Sequence, residues 1–454
     1  MRCIWPTPEI EDIIVDVMDD AVEHVPGDGL HLLLEATRER VFRLADGEIH
    51  QTADRKDLRL IVTAIEGNRQ GVVSTGLLVP DEIHTAIGRA RRICSFLPPD
   101  PQFPGLPGPV KAAQDGGDHH DRETANATSE ELARIASVGL ETARAEGAIA
   151  AGALSVRENL FLARDSEGLA SRSISTKADL SLTCFAGSGG KQSSGYSNRF
   201  AWRLSDLNPE ETAIKAARKA KYGIVRRSLN PGFYTAILGP TAVADLVGIL
   251  AHIGFGATEV NEYRSFASGR LGEKVLDEKF TLRDDPQHPQ TAAPGIDYEG
   301  IPTKPLTFVE RGVLKDIATN HRTAHLGNKP SNGRGADPLS RWTDILMNHL
   351  VMEPGATSRE KMIRSVHRGI LINRLWYARV VQPRETRITA LTRNGLLTID
   401  GGEITGAAGN FRTNLSLVEL LSHLKAVSDT TVPTHGVVAP TLLVEGFPLT
   451  SPSA

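Results

Sequence analysis

The chain has 454 residues, a formal net charge of −4, 40% hydrophobic and 23% charged residues, which suits a globular protein of two or three domains rather than one small core. It lacks the clustered Lys and Arg of a nucleic-acid footprint, and no stretch approaches the roughly 18 uninterrupted apolar residues of a membrane-spanning helix. Cys3, Cys94 and Cys184 are odd in number and far apart, which argues against a disulfide framework or a CxxC metal knuckle and for a reducing cytoplasm.

The N-terminal MRCIWPTPEIEDII carries acidic groups where a signal peptide needs apolar ones. Ile10, Ile13, Ile14, Val17, Met18 and Ala21 then recur at helical spacing. LHLLLEAT (30–37) and RVFRLADGEIHQT read as strands, with Asp46-Gly47 as a hairpin turn. LRLIVTAIEGNRQGVVSTG repeats the pattern around Gly67-Asn68. A helix follows Pro80, with Ile83, Ile87, Ala90 and Cys94 on one face. Residues 96–128 read as a Pro/Gly-rich linker, and His119-His120 within it as a solvated loop pair. Thr128 and Glu131 form a capping-box pattern ahead of Leu132, Ile135, Ala136, Leu140 and Ala143. GALSVRENLFLARDSEG and LASRSISTKADLSLTCFAG are strand-like. GSGGKQSSG lacks the GxxxxGK[ST] spacing and leads into the strand YSNRFAW, so it is a hairpin turn and not a phosphate loop. Asn208-Pro209 starts another helix. The two units repeat one order of helix, turned strands and helix, which suggests an internal duplication. From residue 231 the texture changes: the strand FYTAILGP, the helix TAVADLVGILAHI, then short apolar runs broken by Gly, Pro and Asp. A last helix, LSLVELLSHLKAV, precedes the strand-like THGVVAPTLLVEG.

Several of these stretches resemble the TldD/PmbA (TldD/TldE) metallopeptidase family. They include FRLADGEIHQT, RDSEGLASRS, EYRSFASGRLGEKVLDEKFTLRDDP (262–286), IDYEGIPTKPLTFVERGVLKD (296–316), EPGATSREKMI (353–363) and TRNGLLTIDGGEITGA (392–407). The resemblance covers most of the chain and is weakest in the linker. It implies an α+β fold: two related N-terminal α/β lobes (1–95 and 129–228) joined by the linker, then a larger β-rich C-terminal domain (229–450). In this family one subunit holds zinc through an HExxxH helix and a later cysteine, and its partner subunit shares the fold without the metal.

The stretch in the helix position reads VADLVGILAHIGFGATEVNE. Taking His252 as the first histidine puts Ile253 at the glutamate position and Ala257 at the second histidine; sliding by one puts Ala251 and Gly256 at the histidine positions. No cysteine follows Cys184. Zinc hydrolysis needs a cluster of donors and a carboxylate to take a proton from the bound water, so the resemblance implies the zinc-less subunit, with neither a catalytic nor a metal residue in this chain. His321 and His325 have helical ligand spacing but read as a polar surface pair. Ser358–Lys361 is a chance SxxK match, and Asp284-Asp285 before Pro286 a turn.

The expected role is therefore a non-catalytic, substrate-cavity-forming subunit of a heteromeric peptidase involved in proteolysis or peptide maturation. It would pair, as a heterodimer or larger assembly, with a TldD-like HExxxH subunit carrying the zinc, and no cofactor is expected in this chain. His252, Glu259, Arg264, Asp297 and Glu299 are the candidates for lining the substrate cavity, His252 because it falls off the buried helix stripe beside Asp245. The partner class is a peptide or peptide-like substrate, with no nucleic acid and no membrane. Two alternatives stay open: an amide or peptide hydrolase acting on a small peptide-like metabolite, and a non-enzymatic peptide-binding clamp or gyrase-inhibitor modulator.

Overall fold

A computed structural model describes residues 8–24, 27–110, 119–189, 192–340 and 343–453; Cys3 lies outside them. The first helix, α1 (Pro8–His24), leads to three antiparallel strands, β1 (Gly29–Ala45), β2 (Glu48–Glu66) and β3 (Arg69–Thr75), and to α2 (Pro80–Cys94). Asp46-Gly47 and Gly67-Asn68 turn the strands with φ of 51° and 80°, and of 53° and 60°. Both positive angles are what a two-residue hairpin turn demands of Asn, Asp and Gly. After a short α3 (Arg122–Asn126), the order repeats in α4 (Ser129–Ala145), β4 (Ile149–Asp165), β5 (Ala170–Ala186), β6 (Ser193–Ala201) and α5 (Pro209–Tyr222). Thr128 caps α4 in a reciprocal exchange with Glu131, and Asn208 accepts from the Glu211 amide to cap α5.

Among the described residues the two halves form one six-stranded sheet in the order β3-β2-β1-β4-β5-β6. The seam is the long antiparallel pairing of β1 with β4, from His31 opposite Asp165 to Leu44 opposite Gly152. The order reads the same from either end, so the halves are related by a pseudo-twofold through that seam. A matched detail supports the duplication. A Cβ on Gly71 in β3 would lie 1.9 Å from the carbonyl oxygen of Ala90 in α2, and one on Gly195 in β6 would lie 2.2 Å from that of Ala216 in α5. In each half the closing helix rests on the third strand at a glycine.

Alternation along the strands separates the two faces. Leu30, Leu32, Leu34, Leu60, Val62 and Ala64 pack under α1 and α2, while Leu154, Val156, Leu180 and Leu182 pack under α4 and α5. Each such side chain contributes about 1.5–3 kcal/mol when fully buried. Cys94 and Cys184 are buried in these two cores. The opposite face, carrying Leu33, Ile61, Phe161 and Ala163, meets Ile296 of the C-terminal region.

That region begins with β7 (Gly232–Leu238), α6 (Pro240–Gly254) and α7 (Ala257–Asn261), and continues through β8 (Leu282–Asp284), β9 (Leu306–Glu310), β10 (Val313–Leu314) and α8 (His321–Leu326). Next come β11 (Leu350–Met352), α9 (Arg359–Ser365), β12 (Arg368–Gln382), β13 (Arg387–Asp400) and β14 (Glu403–Ala408). The chain ends in β15 (Phe411–Ser416), α10 (Leu417–Leu421), β16 (Leu424–Thr434), β17 (Val437–Leu449) and β18 (Ser451–Pro452). Among the described residues twelve strands join in one sheet, with β17 and β7 near its centre. Val243, Leu246, Val247 and Leu250 of α6 pack on it, and Phe255 stacks on Phe308 at 4.8 Å. The predicted last helix is cut short. Only Leu417–Leu421 is helical, and Leu424 already pairs with Val444 as the start of β16. The leucine spacing is helical throughout, but the run behind it pairs along β17, and pairing there wins. Among the described residues no helix is long and apolar enough to cross a membrane.

Candidate functional site

The chemistry-bearing face of the six-stranded sheet is the one turned toward the C-terminal region. Period-two alternation puts His31, Leu33 and Glu35 of β1 on it, beside Arg59, Ile61 and Thr63 of β2 and Asn159 and Phe161 of β4. Opposite lies the loop 295–301, clamped to the sheet at both ends. The Gly295 amide donates to Ser173 Oγ at 2.8 Å, and Ser171 Oγ donates to the Gly300 carbonyl at 2.7 Å. Asp297 shapes the loop: Oδ1 accepts from the amides of Glu299 and Ile301, both at 2.9 Å, and Oδ2 from that of Gly335 at 2.7 Å. Tyr298 packs edge-on to Phe161 at 5.4 Å and donates to Glu35 Oε1 at 3.3 Å. The loop thereby divides the interdomain space into two cavities.

One cavity, of about 470 Å³, is lined by His31, Glu259, Arg264, Glu299, His321 and Asp344, with Phe103–Pro107 of the linker as a wall. Glu299 Oε2 accepts from the His321 amide at 2.7 Å, at the start of α8. Glu299 is held well above the ordinary carboxylate range, first by burial and then by the charge of Asp297. Burial also pushes Asp297 up to about 6, against the three amides that favour its charged form. Burial pushes His31 and His321 down, keeping both imidazoles neutral near pH 7. Nε2 of His31, Nε2 of His321 and Oε2 of Glu259 are buried without hydrogen-bond partners. Such atoms carry a cost unless something binds them, and here they converge on one polar space.

The other cavity, of about 390 Å³, is lined by Glu35, Lys177, Asp297, His349 and His435, with Gly248 of α6 at its wall. Burial lowers the Lys177 ammonium from its usual range. His435 is oriented by Asp245 of α6, 2.9 Å from Nδ1, and by Tyr196, 3.0 Å from Nε2. Behind His349 lies a buried ion pair, Arg334 Nη2 to Asp284 Oδ1 at 2.6 Å. Although burial opposes it, the Arg334 guanidinium and His349 hold Asp284 down to about 2. A second ionic link spans the regions: Arg59 reaches Glu35 Oε2 at 2.5 Å and Asp337 Oδ2 at 2.8 Å.

Of the five residues singled out in the sequence, Glu259, Arg264 and Glu299 share the first cavity and Asp297 lines the second. His252 is exposed and lines neither, although Asp245 and Gly248 on its helix face do border or orient the second. Three other expectations change. Asp284 is not a turn residue but a fully buried ion-pair partner; the turn belongs to Asp285, whose carboxylate accepts from the Gln287 amide. His321 is half-buried with its Nε2 enclosed, whereas His325 is exposed. His119 and His120 are not solvated: His119 stacks on Trp202 at 5.1 Å and is pushed down to about 4 by burial, and His120 lies 2.9 Å from Glu158. His31 and Lys177 carried no motif; the signal that could have found them is the polar alternation of their strands on a face that also bears Leu33 and Phe161.

A zinc ion does not fit these residues. From the end of α6 to the start of α7, His252 faces solvent while Ile253 and Ala257, 6% and 1% exposed, are packed into the core. Among the described residues no three His, Cys, Asp or Glu side chains come together as a metal cluster.

Residues 231–451 match the family model described as the PmbA/TldA metallopeptidase C-terminal domain. A metalloprotease of Methanothermobacter thermautotrophicus is 28% identical over 133 residues, spanning only 28% of this chain and 29% of its own length. Metalloprotease PmbA of Escherichia coli O157:H7 is 23% identical over 422 residues, covering 90% of this chain and 87% of the relative. The crystal structure of TldE from Thermococcus kodakarensis superposes with a TM-score of 0.87 at 23% identity, covering 97% of this chain and 99% of that one.

Proposed function

We propose, from the premise that the chain belongs to the TldD/PmbA family, that it is the metal-free subunit of a TldD/TldE-type zinc metallopeptidase. Its partner is a TldD-like chain bearing HExxxH and the zinc, and peptide or amide hydrolysis takes place on that partner in a cavity that this chain helps to enclose. The compartment is the cytoplasm. The observation that carries this reading is the stretch from the end of α6 to the start of α7, where the exposed lone imidazole of His252 and the core-packed Ile253 and Ala257 stand in place of a donor set. Catalysis by zinc needs an open coordination position and a base beside it, and α6 supplies neither.

What this chain contributes is binding. The first cavity has neutral imidazoles at its wall and, in Glu299, a carboxyl that burial and the charge of Asp297 hold well above its ordinary range, which favours hydrogen bonding to uncharged peptide groups over ion pairing. β3 is an edge of the six-stranded sheet, and its Gln70 lines the same cavity, so an extended peptide finds backbone groups outside the ladder to pair with. The test is assay of each chain alone and of the co-expressed pair, with zinc counted per chain by native mass spectrometry. The expected result is zinc on the partner only and hydrolysis only by the pair. Metal-dependent turnover by this chain alone would overturn the reading.

A further inference from the structure

A third cavity, of about 670 Å³, opens between the β4–β5–β6 end of the first sheet and β12–β14 of the second. Its chemistry differs from that of the other two. Arg226, Arg374 and Arg393 line it, together with Trp376, Ser194 and Asn394, and no Asp or Glu does. Arg374 and Arg393 stand directly opposite each other in the register of β12 and β13, a placement in which like charges repel. Neither has a carboxylate partner among the described residues. Both are fixed by aromatic faces: Arg374 lies 4.1 Å from the Tyr196 ring and 4.8 Å from Trp376, and Arg393 lies 4.7 Å from Trp376.

Stacking occupies the flat faces of a guanidinium and leaves its in-plane N–H donors free. Two donors are conspicuous, since Arg374 Nε and Trp376 Nε1 are buried with no hydrogen-bond partner. Arg226 is tied to the Gln192 carbonyl beside them. The protein thus holds two guanidinium groups at facing positions of one ladder, each against an aromatic ring, with no carboxylate between them and with the Arg374 Nε donor unmet. We infer that this cavity binds a multivalent oxyanion, whose carboxylate or phosphate oxygens bridge Arg374 and Arg393 and relieve their repulsion. Charge-assisted, bidentate bonds of this kind are the strong ones.

The site is independent of the peptidase reading and is tested on the full chain without a partner. Isothermal titration with inorganic phosphate and, separately, with citrate is run at low ionic strength, where such contacts are least screened. Saturable binding of at least one anion at one site per chain is expected. Arg393→Gln and Arg374→Gln should each weaken it roughly tenfold, the scale of one lost charged hydrogen bond. Arg379→Gln, on the same strand but exposed and outside the cavity, should leave it unchanged. Arg393 is itself exposed, so its variant remains readable even if Arg374→Gln fails to fold. Citrate alone binding assigns a carboxylate ligand, phosphate alone a phosphoryl ligand, and both together the shared chemistry. Binding of neither, or equal weakening by Arg393→Gln and Arg379→Gln, overturns the inference.

Discussion

Asp297 and Glu299 stand two residues apart yet end in different cavities, and the bend that separates them is held by the carboxylate of the first. Both have folded-state pKa values raised above their free values. The folded protein therefore holds their protons more tightly, and their contribution favours folding at low pH and is lost as pH rises. For Asp297 the loss runs from about 4 to about 6. Glu299→Gln keeps an oxygen for the His321 amide and removes the titration. Its melting temperature relative to wild type should therefore climb as pH rises from about 4.5, the free carboxyl value. Thermal melts across pH 4–8 check this, and a pH-independent difference would show that Glu299 is ionised in the fold. Asp284→Asn is the opposite case. It leaves Arg334, 1% exposed, without its counter-charge, and should cost about 3–5 kcal/mol in urea unfolding.

At the scale of elements, Gly71 and Gly195 decide how closely α2 and α5 approach the sheet. Substituting alanine at either forces a Cβ into a helix carbonyl, and each should destabilise by about 1–3 kcal/mol, the usual range for overpacking. Equal losses in the two halves, read from denaturant midpoints, would mark them as repeats of one solution; a neutral effect at either would mean that the helix slides freely. The elements themselves were largely legible in the sequence. Thr128 with Glu131, Asn208-Pro209 and both hairpin turns each carry a local mechanism that needs no tertiary context. The short α10 was not legible, because Leu417, Leu420, Leu421 and Leu424 are all buried and keep helical spacing straight through the point where the backbone becomes a strand. The site was legible only in part. Arg264, Asp297 and Glu299 lie in stretches that resemble the family and Glu259 just ahead of one, whereas His31 and Lys177 become visible only when a strand face is known to be roofed. His119 looked solvated because the Trp202 that covers it lies far along the chain.

At the scale of the molecule, the two cavities exist because the C-terminal region roofs the sheet, and Arg59 is one of the pins. It bridges Glu35 on the sheet to Asp337 beyond the loop. Being about a third exposed, it should matter modestly, with Arg59→Ala costing about 1 kcal/mol after allowance for solvent screening. Its clearer readout is faster hydrogen exchange at residues 295–301 than in wild type, and unchanged protection there would mean that the serine clamps alone hold the roof. The seam between β1 and β4 has a separate consequence. Neither N-terminal half can be produced by itself without leaving a long strand flank open, and such flanks seek partners. A polypeptide cut within the 96–128 connection should consequently behave as two adhesive fragments that aggregate singly and, made together in one cell, zip into a working whole.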